Sequence, residues 1–564
     1  MDRNQVIKEL TGGGGEFELY TRELYGRPCR CFLDLPETLK DLFCEARSSE
    51  TFIVYEDERL SFEEAWVEAS KLGDVFVNKY GLVKGDRIAI SMRNYPEWVL
   101  SFMAATSIGC IAVAMNSLWG SEEMEYGLND CGARLLLADQ ERLDRLAECH
   151  SIPLDLAVIA VRSQRLTVAG AKHFSEVIAG ASERMPQVEM LPDDDATILY
   201  TSGSTGHPKG VLSCHLNLLT ALRSWELDAK VAVLMQGSAS TASAPKKSQQ
   251  GANLLGVPLF HATGSHAVLL TSYRAQRRLV CMYKWDVSEA AKLIEREKIT
   301  AFTAPPAMTG DLVQYARDTD YDLSSLSRLG GGGASRAPQQ VKNINKIFKR
   351  AAPGTGWGMT ETNAIGTGIT GAEYIDRPES SGRSSVVLDL RIVDNTSTEV
   401  GIGRRGELQV RGTTVFKGYW NRPDASDETF DGDWLKTGDV AYLDEEGYLF
   451  IVDRIKDLVI RGGENIGCGA VEAALLEHPL VVEACVYAVP DERLGEEVGA
   501  TLFVKEHLAT EELRTFLESK LAKFEIPRYY YFLDTPLPRT GSGKIFKRGL
   551  RQEASGRISR GLPG

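Results

Sequence analysis

Two loops of this sequence combine glycine, hydroxyl side chains and a lysine, which are residue types that bind phosphate. The first loop is LYTSGSTGHPKGV at 199–211, and the second is PRTGSGKIFKR at 538–548. Small residues let successive backbone N–H groups approach an anion, hydroxyl groups add donors, and the lysine adds positive charge. Both loops therefore predict binding of a phosphorylated ligand.

Neither loop has the spacing of a P-loop. That motif requires a glycine, four residues, then Gly-Lys followed by Ser or Thr. Counted from Gly203, a proline takes the place of the second glycine, and a further glycine follows the lysine. The second loop fails in the same way, with Pro538 five residues before Gly543 and an isoleucine after Lys544. The spacing excludes the P-loop for both.

Length and net charge limit the classes of protein to which this chain can belong. The 564 residues exceed one ordinary core, so at least two domains are expected. With 43% hydrophobic and 25% charged residues, the composition is that of a globular protein. The formal net charge of -14 argues against nucleic acid as a partner, because its phosphates require a basic face. A small anion can still bind where nearby cations or helix N-termini make the local potential positive despite the negative net charge.

Cysteine usage and the N-terminus favour the cytoplasm. The ten cysteines include no CxxC pair, and Cys29 with Cys31 forms a lone CxC, a weak metal signal. The first twenty residues are polar and lack the apolar region of a signal peptide.

Residues 98–121 carry no charge and are long enough to span a bilayer. Because Thr, Ser, Gly and Asn interrupt this run, we favour a buried helix over about 97–108, a glycine turn and a strand, CIAVAM.

The elements that position the loops follow an α/β rhythm. Short apolar runs such as RIAISM, CIAVAM, ARLLLAD, LAVIAV and ATILYT predict buried strands, and amphipathic stretches between them predict helices. This alternation indicates parallel α/β layers. Short strands and turns follow from about residue 386, and a compact α+β pattern follows residue 453. The tract 230–251, rich in Ser, Ala, Lys and Gln, predicts a solvated surface loop, with a lid as the alternative.

Four motifs in order resemble those of the adenylate-forming superfamily, which includes acyl-CoA synthetases, nonribosomal adenylation domains and firefly luciferases. They are YTSGSTGHPKG, GWGMTET at 356–362, DWLKTGDVAYLDEEGYLFIVDRIKDLVIRGGENI at 433–466, and PRTGSGKIFKR. The resemblance covers residues from about 52 to 551, and its pattern is nearest to fatty-acid or aryl acyl-CoA ligases. One such motif would be suggestive, and four in family order are highly specific.

The resemblance implies a fold and a reaction. The fold is a large N-terminal domain (1–453) of layered α/β sheets with a small distorted β-barrel, a hinge (454–457), and a small mobile α+β domain (458–564). In the reaction, a carboxylate attacks the α-phosphorus of ATP to give an acyl-adenylate and pyrophosphate, and the thiol of coenzyme A then displaces AMP. The implied ligands are ATP, Mg²⁺, coenzyme A and a carboxylic acid, with fatty acid metabolism as the context and a homodimer as a candidate assembly.

The resemblance also assigns residues to this site. Catalysis is assigned to Lys544, Thr205, Glu361 and His261, and Mg²⁺ binding to Thr201 and Glu361. ATP binding is assigned to Thr201, Ser202, Gly203, Ser204, Thr205, Gly206, Lys209, Gly332, Gly333, Ala334, Trp357, Gly358, Met359, Thr360, Asp439, Arg454 and Lys544. Trp357 stands where the family has an aromatic residue on adenine, Asp439 should accept hydrogen bonds from the ribose, and Lys544 should stabilise the charge shared by carboxylate and α-phosphate.

The remaining assignments concern the acyl chain and coenzyme A. Acyl binding is assigned to His261, Thr303, Gly331 and Gly358, with His261 as a gate or, alternatively, a packed core residue. The small domain should rotate about Lys456, after which Arg461, Gly462 and Gly463 line the pantetheine tunnel. After GGENI, where the family has an aromatic residue, a proline and then an acid, this chain has Gly467, Cys468 and Ala470.

Three alternatives to a coenzyme A ligase share the same motifs. The chain could pass its acyl group to a carrier-protein thiol, act as a luciferase-type oxygenase, or bind acyl or nucleotide ligands without catalysis. No residue selects the oxygenase. An inactive relative is expected to have lost Lys544, Glu361 or Asp439, and all three are present.

Overall fold

The computed structural model describes residues 2–201, 207–236, 250–334, 336–539 and 544–560. Two large sheets with flanking helices form most of the chain up to residue 454, and a smaller third sheet forms the rest. The prediction of a mixed α/β chain, with a large N-terminal domain and a smaller C-terminal domain, is confirmed.

The first sheet has eight strands with a parallel centre. In spatial order the strands are Gly418–Tyr419, Lys209–Cys214, Asp195–Thr201, Ile111–Ala114, Arg87–Ser91, Leu135–Asp139, Ala157–Val161 and Lys172–His173. Helices cover both faces, so the central strands are buried on both sides and have continuous apolar sequences. The first phosphate loop leaves this sheet between Asp195–Thr201 and its antiparallel partner, Lys209–Cys214.

The uncharged stretch at 98–121 is part of this sheet and its cover. The helix Pro96–Ser107 is almost wholly buried, Gly109 takes a positive φ of 74°, and the strand Ile111–Ala114 lies between two parallel neighbours. No helix in the described ranges is long and apolar enough to cross a membrane. The buried helix, turn and strand are therefore confirmed.

The second sheet changes from parallel to antiparallel pairing along its width. Its parallel strands, in spatial order, are Thr51–Tyr55, Arg278–Cys281, Ala252–Leu255, Ala301–Ala304, Arg328–Gly331 and Ala352–Thr355, with Glu58–Ser61 antiparallel at the near edge. Beyond them follow the antiparallel strands Thr367–Thr370, Gly382–Ser384, Tyr448–Arg454, Trp434–Leu443, Gly406–Gly412 and Leu388–Val393, and Phe430–Asp431 pairs with Trp434–Leu443. The strands from residue 388 onward are the short strands predicted after residue 386, and Leu408, Leu435 and Leu449 belong to a core that also includes Val6, Phe32 and Ala221.

The third sheet belongs to the C-terminal domain. Its strands are Glu464–Ile466, Val459–Arg461, Gly495–Val504 and Val481–Asp491, with Tyr529–Leu533 parallel to Gly495–Val504. The helices of this domain are Cys468–Leu475, Thr510–Glu518 and Lys547–Ser559. Lys547 at the start of the last helix pairs with Glu472 at 3.1 Å, which ties the segment after the second phosphate loop to the domain core.

The N-terminal domain and the segment 454–457 hold the other helices and helical turns of the described residues. They are Arg3–Thr11, Leu39–Glu45, Phe62–Asp74, Pro96–Ser107, Ser121–Cys131, Gln140–Ala147, Phe174–Ile178, His215–Gln236, Thr271–Arg274, Val287–Glu297, Pro306–Tyr315, Pro338–Ile347, Ala372–Asp376 and Pro423–Thr429, with π-helical turns at Val75–Lys79 and Thr263–Leu270 and 3₁₀ turns at Thr360–Thr362 and Ile455–Asp457. A hairpin, Leu19–Leu24 and Arg27–Phe32, lies near the N-terminus.

The prediction of a loop over 230–251 is wrong for its first third. The helix His215–Gln236 continues through residues 230–236 because Val231 packs into the same core as Ala221 and Leu227 on this helix. Residues 237–249 lie outside the described ranges, so the loop and the alternative of a lid stay predictions there.

His215, at the start of this long helix, should make the protein less stable in acid. Its side chain is buried, Nδ1 accepts a hydrogen bond from the backbone N–H of Leu39 at 3.2 Å, and burial lowers its pKa to about 4. Because the unfolded chain binds this proton more tightly, stability rises with pH between 4 and the ordinary value of 6.5. We expect His215→Asn, which keeps an acceptor, to remove about 2 kcal/mol of the stability difference between pH 5 and pH 7. Tm measured across this range checks it, and an unchanged slope would contradict the assignment.

Candidate active site

A cleft of about 2500 Å³ is lined by residues of both domains. It brings together the described parts of all four motifs, which are separated by hundreds of residues in the sequence. The lining includes, from these motifs, Thr201, Lys209, Gly356, Gly358, Met359, Thr360, Glu361, Arg454, Lys456 and Lys544. Because strands of both sheets end at this cleft, it is where a parallel α/β architecture is expected to bind its ligand.

The carboxyl ends of the parallel strands of the second sheet form one wall. Thr303 and residues 330–333 line the cleft there, as the resemblance implied for Gly331, Gly332 and Gly333. Gly333 has a positive φ of 78°, and a Cβ atom added to it would lie 3.9 Å from Nζ of Lys544. The neighbouring Ala334 is exposed and is not among the described lining residues. A glycine is therefore required where the chain turns beside the lysine.

Lys544 enters the cleft from the C-terminal domain. Burial lowers its pKa, with Arg454 and then Lys456 acting in the same direction and Asp439 opposing them. An ammonium group that faces two other cations gains stability when an anion enters. The position of Lys544 thus suits contact with the negative oxygens of a carboxylate and a phosphate.

Asp439 is held by two side chains from neighbouring segments. Its Oδ1 lies 2.9 Å from Nε of Arg454, and its Oδ2 accepts a hydrogen bond from Nε1 of Trp357 at 2.7 Å. Asp439 and Arg454 are directly paired in their antiparallel strands. Burial raises the pKa of Asp439, and Arg454, followed by Trp357, opposes this effect. Neither Trp357 nor Asp439 is among the described residues that line the cleft. The residues that the resemblance assigns to adenine and to ribose are instead hydrogen-bonded to each other.

The bond from Trp357 to Asp439 predicts a role in binding ATP that phenylalanine cannot fill. Trp357→Phe keeps an aromatic face but removes the indole N–H, which leaves one oxygen of a buried carboxylate unpaired. We expect KM for ATP to rise about 5-fold to 20-fold with a smaller change in kcat, because one charge-assisted hydrogen bond is lost. Trp434→Phe, on the strand that carries Asp439 but away from the cleft, is the control. Equal KM values for both variants would show that the bond does not position Asp439.

Glu361 is a buried carboxylate among the residues that line the cleft. Its side chain is 7% exposed, and Oε1 accepts a hydrogen bond from the hydroxyl of Tyr419 at 2.8 Å. Burial raises the pKa of Glu361, while the bond from Tyr419 and the charges of Arg454 and Lys209 lower it. The second carboxylate oxygen and the hydroxyl of Thr201, both at the cleft, are hard oxygen donors of the kind that Mg²⁺ prefers. The residues present therefore fit a Mg²⁺ ion carried in with the triphosphate.

His261 lies beside Lys544 and is neutral. Burial, reinforced by the charge of Lys544, lowers its pKa to about 4. Its Nε2 is buried without a hydrogen-bond partner among the described residues, and the side chain lines the cleft together with Thr303. The side chain therefore lies where the resemblance placed it, and its two readings, as a gate or as a packed core residue, stay predictions.

Some predicted residues lie outside this arrangement. Ser202, Gly203, Ser204, Thr205 and Gly206 fall outside the described ranges, and their assignments stay predictions. Arg461, Gly462 and Gly463 form a hairpin turn, in which Nε of Arg461 bonds to Glu497 at 2.5 Å, and none of the three is a described lining residue of the cleft. In this orientation the C-terminal domain presents Lys544 to the cleft, and the residues assigned to coenzyme A face elsewhere.

Sequence reasoning missed two contacts that hold the site. Tyr419, which bonds to Glu361, has only the local GYW pattern as a signal, and that pattern does not indicate its partner. The second is a pair of contacts that Cys468 makes beside 454–457, the segment predicted as the hinge: its N–H donates to Oδ2 of Asp453 at 2.5 Å, and its Sγ lies 3.1 Å from the carbonyl of Asp457. A proline at position 468, as in the resembling family, has no N–H and could not make the first bond.

Comparisons with known proteins agree with the geometry. The model of the AMP-binding enzyme family matches residues 42–420, and that of the AMP-binding enzyme C-terminal domain matches residues 470–544. A long-chain-fatty-acid–CoA ligase of Bacillus subtilis is 31% identical, over 92% of this chain and 95% of its own. The long-chain-fatty-acid–CoA ligase FadD13 of Mycobacterium tuberculosis is 29% identical, over 89% of this chain and 94% of its own.

Solved structures give the same picture. The o-succinylbenzoate CoA synthetase of Bacillus subtilis, in complex with its acyl-adenylate intermediate, is 27% identical with a TM-score of 0.76, over 92% of this chain and 99% of its own. The same enzyme has been solved with ATP and a magnesium ion, at 26% identity and the same TM-score, over 92% of this chain and 100% of its own. These are complexes of the ligands that the cleft residues fit.

Proposed function

We propose that this chain, which belongs to the AMP-binding enzyme family, carries out both half-reactions of a carboxylate–CoA ligase in the cleft around Lys544. The chain is an ATP-dependent acid–thiol ligase that forms AMP. It joins a carboxylic acid to coenzyme A through an acyl-adenylate. The observation that carries the placement is the convergence of Lys544 with Asp439, Arg454 and His261 from separate segments: the charge of Lys544 acts on the pKa values of Asp439 and His261, and the charges of Arg454 and Asp439 act on that of Lys544.

In the first half-reaction, a carboxylate oxygen attacks the α-phosphorus of ATP, and pyrophosphate leaves with the electron pair of the broken P–O bond. Lys544 neutralises the charge that carboxylate and α-phosphate oxygens share in the transition state. Asp439 and Arg454 hold the ribose side, and Lys209, with the loop 201–206, holds the leaving pyrophosphate. Mg²⁺, bound by Glu361 and Thr201, would neutralise charge on the phosphate oxygens.

In the second half-reaction, the thiol sulfur of coenzyme A attacks the acyl carbonyl carbon, and AMP leaves as a phosphate monoester. The thiol must therefore reach the part of the cleft that Lys544 occupies in the first half-reaction. We assign this exchange to rotation of residues 458–564 against residues 1–453 about 454–457. Arg461, Gly462 and Gly463 would then face the cleft. His261 and Thr303, with Gly331 and Gly358, border the acyl group. A homodimer and a cytoplasmic location remain predictions of the sequence.

A panel of carboxylic acids tests this function. Pyrophosphate release is measured with alkyl and aryl acids in the presence of ATP and Mg²⁺, with and without coenzyme A, and the thioester is identified by mass spectrometry. We expect adenylate formation without coenzyme A and full turnover with it. Adenylate formation followed by transfer only to a carrier-protein thiol would replace coenzyme A as the acceptor, and no pyrophosphate release with any acid would overturn the function. The molar mass in solution tests the homodimer.

A further inference from the structure

The cleft continues beyond the catalytic region along one face of the second sheet. Side chains of a strand alternate between its faces, and alternate residues of three neighbouring strands line the cleft: Ala301 and Thr303, Arg328 and Gly330, and Ala352 and Gly354. The residues between them, including Phe302 and Leu329, are buried on the other face. Five of the six lining residues are small, which leaves a groove that runs from the carboxyl ends of the strands toward their amino ends.

Two arginines lie at the far end of this groove. Arg328 begins its strand and is in register with Ala301 on one side and Ala352 on the other. The side chain of Arg277 crosses the start of the adjacent strands: a Cβ atom added to Gly251 would lie 3.4 Å from Cγ of Arg277 and 3.5 Å from Oγ1 of Thr300. Both arginines line the cleft.

No carboxylate of the described residues pairs with either of these two guanidinium groups. In this region Arg274 pairs with Glu226 at 2.9 Å and Lys298 with Asp322 at 3.4 Å. In the described part of the chain, neither Arg277 nor Arg328 has a side-chain hydrogen bond or ion pair, and no residue outside that part is Asp or Glu. The nearby Glu226 is already shared between Arg274 and Arg223.

The desolvation of Arg277 is not offset by any anion. Burial, reinforced by the positive charge of Arg328, lowers its pKa to about 10. A half-buried guanidinium group such as that of Arg277 is normally paired with a carboxylate or phosphate, which it binds through two parallel hydrogen bonds. Arg328 is exposed and adds a second positive charge beside it, so the end of the groove offers a position for a negative charge that the described residues do not supply.

We infer that Arg277 and Arg328 bind a second carboxylate at the far end of the acid substrate. The inference rests on the proposed function, in which the first carboxylate of the same molecule reacts beside Lys544. From Arg328 to Gly331 the strand rises about 10 Å, which corresponds to roughly eight carbon–carbon bonds in an extended chain. The substrate class is thus an acid of medium length with an anionic end. Asn253 and Thr271, which also line this stretch, are compatible with a partly polar chain.

Matched acids test the inference. Adenylation is measured by pyrophosphate release with octanoate and octanedioate, and with decanoate and decanedioate. We expect kcat/KM to be at least about tenfold higher for the better diacid than for its monoacid, mainly through KM. Arg277→Gln should remove most of this advantage and leave the monoacids within about twofold. Lys349→Gln, which removes an exposed cation from the same end of the cleft, is the control and should leave the ratio unchanged.

A charge reversal gives a second measurement that does not depend on loss of activity. Arg277→Glu should reduce the activity with octanedioate further and raise that with 8-aminooctanoate, because the far end then offers a negative charge to an ammonium group. Monoacids that equal or exceed diacids in the wild-type enzyme would overturn the inference and leave the ligase function intact. Equal losses for monoacid and diacid in Arg277→Gln would also overturn it, since they indicate a structural role. No adenylation of any acid by the wild-type enzyme would overturn the proposed function and the inference with it.

Discussion

Lys544→Ala is expected to reduce carboxylate-dependent pyrophosphate exchange by at least about 100-fold, because one preorganised charge on the reacting oxygens is lost. The same variant should still convert supplied acyl-AMP and coenzyme A to the thioester at close to the wild-type rate. The physical reason is that, under the proposed rotation, Lys544 reaches the site only in the orientation of the C-terminal domain described above, where its Nζ lies close to Gly333. Pyrophosphate exchange and thiolysis of acyl-AMP are measured separately.

Lys523→Ala is the matched control for this variant. Lys523 is an exposed lysine of the same domain and does not line the cleft, so both half-reactions should keep their rates. Equal losses of adenylation and thiolysis in Lys544→Ala would contradict the separation of the two steps. Retention of pyrophosphate exchange would remove Lys544 from the chemistry altogether.

Lys456→Pro is expected to slow thioester formation by at least about tenfold more than adenylate formation. Lys456 is the central residue of the 3₁₀ turn Ile455–Asp457, which joins the last strand of the N-terminal domain to the C-terminal domain. Proline holds φ near −65°, which fits the turn as it stands and prevents the dihedral change that rotation requires. Single-turnover measurements of acyl-AMP formation and of its transfer to coenzyme A check this result.

Lys456→Ala separates the backbone effect from the charge. The side chain of Lys456 lines the cleft and acts on the pKa of Lys544, so its removal could change adenylation without affecting rotation. We expect thioester formation in Lys456→Ala to stay within about threefold of the wild-type rate, because alanine leaves φ free. If the proline and alanine variants slow both steps alike, the hinge must be placed elsewhere, with the contacts of Cys468 to Asp453 and Asp457 as the next candidate.

Local sequence patterns predicted the secondary structure correctly where neighbouring residues determine it. The uncharged run at 98–121 is a buried helix and strand, as its interrupted apolar pattern predicts, because periodicity and a glycine turn are properties of neighbouring residues. The tract 230–251 shows the limit of the same reasoning. Its composition predicts a loop, but the helix continues to Gln236 because Val231 packs against a distant core, and tertiary burial overrides weak local preference.

Contacts between distant residues could not be read from the sequence. The motifs predict that Trp357 and Asp439 belong to one site, but their direct hydrogen bond depends on how the second sheet positions two segments that are 82 residues apart. The hydrogen bond from Tyr419 to Glu361 and the two contacts of Cys468 with Asp453 and Asp457 also join residues that are separated in the sequence. Each requires a donor and an acceptor that only the packed fold brings within reach.

By itself, the sequence determined the α/β class, the order of the two domains, the family and its reaction, because loop chemistry and the periodicity of buried residues are encoded over short stretches. Only the tertiary structure decided which charges have partners. Arg277 and Arg328 resemble any surface arginines in the sequence, and they become a candidate anion site because parallel strands align their amino ends at one edge while the acidic residues nearby are bonded to other cations. Whether a charge has a partner depends on all of its neighbours in space, and no local sequence pattern contains that information.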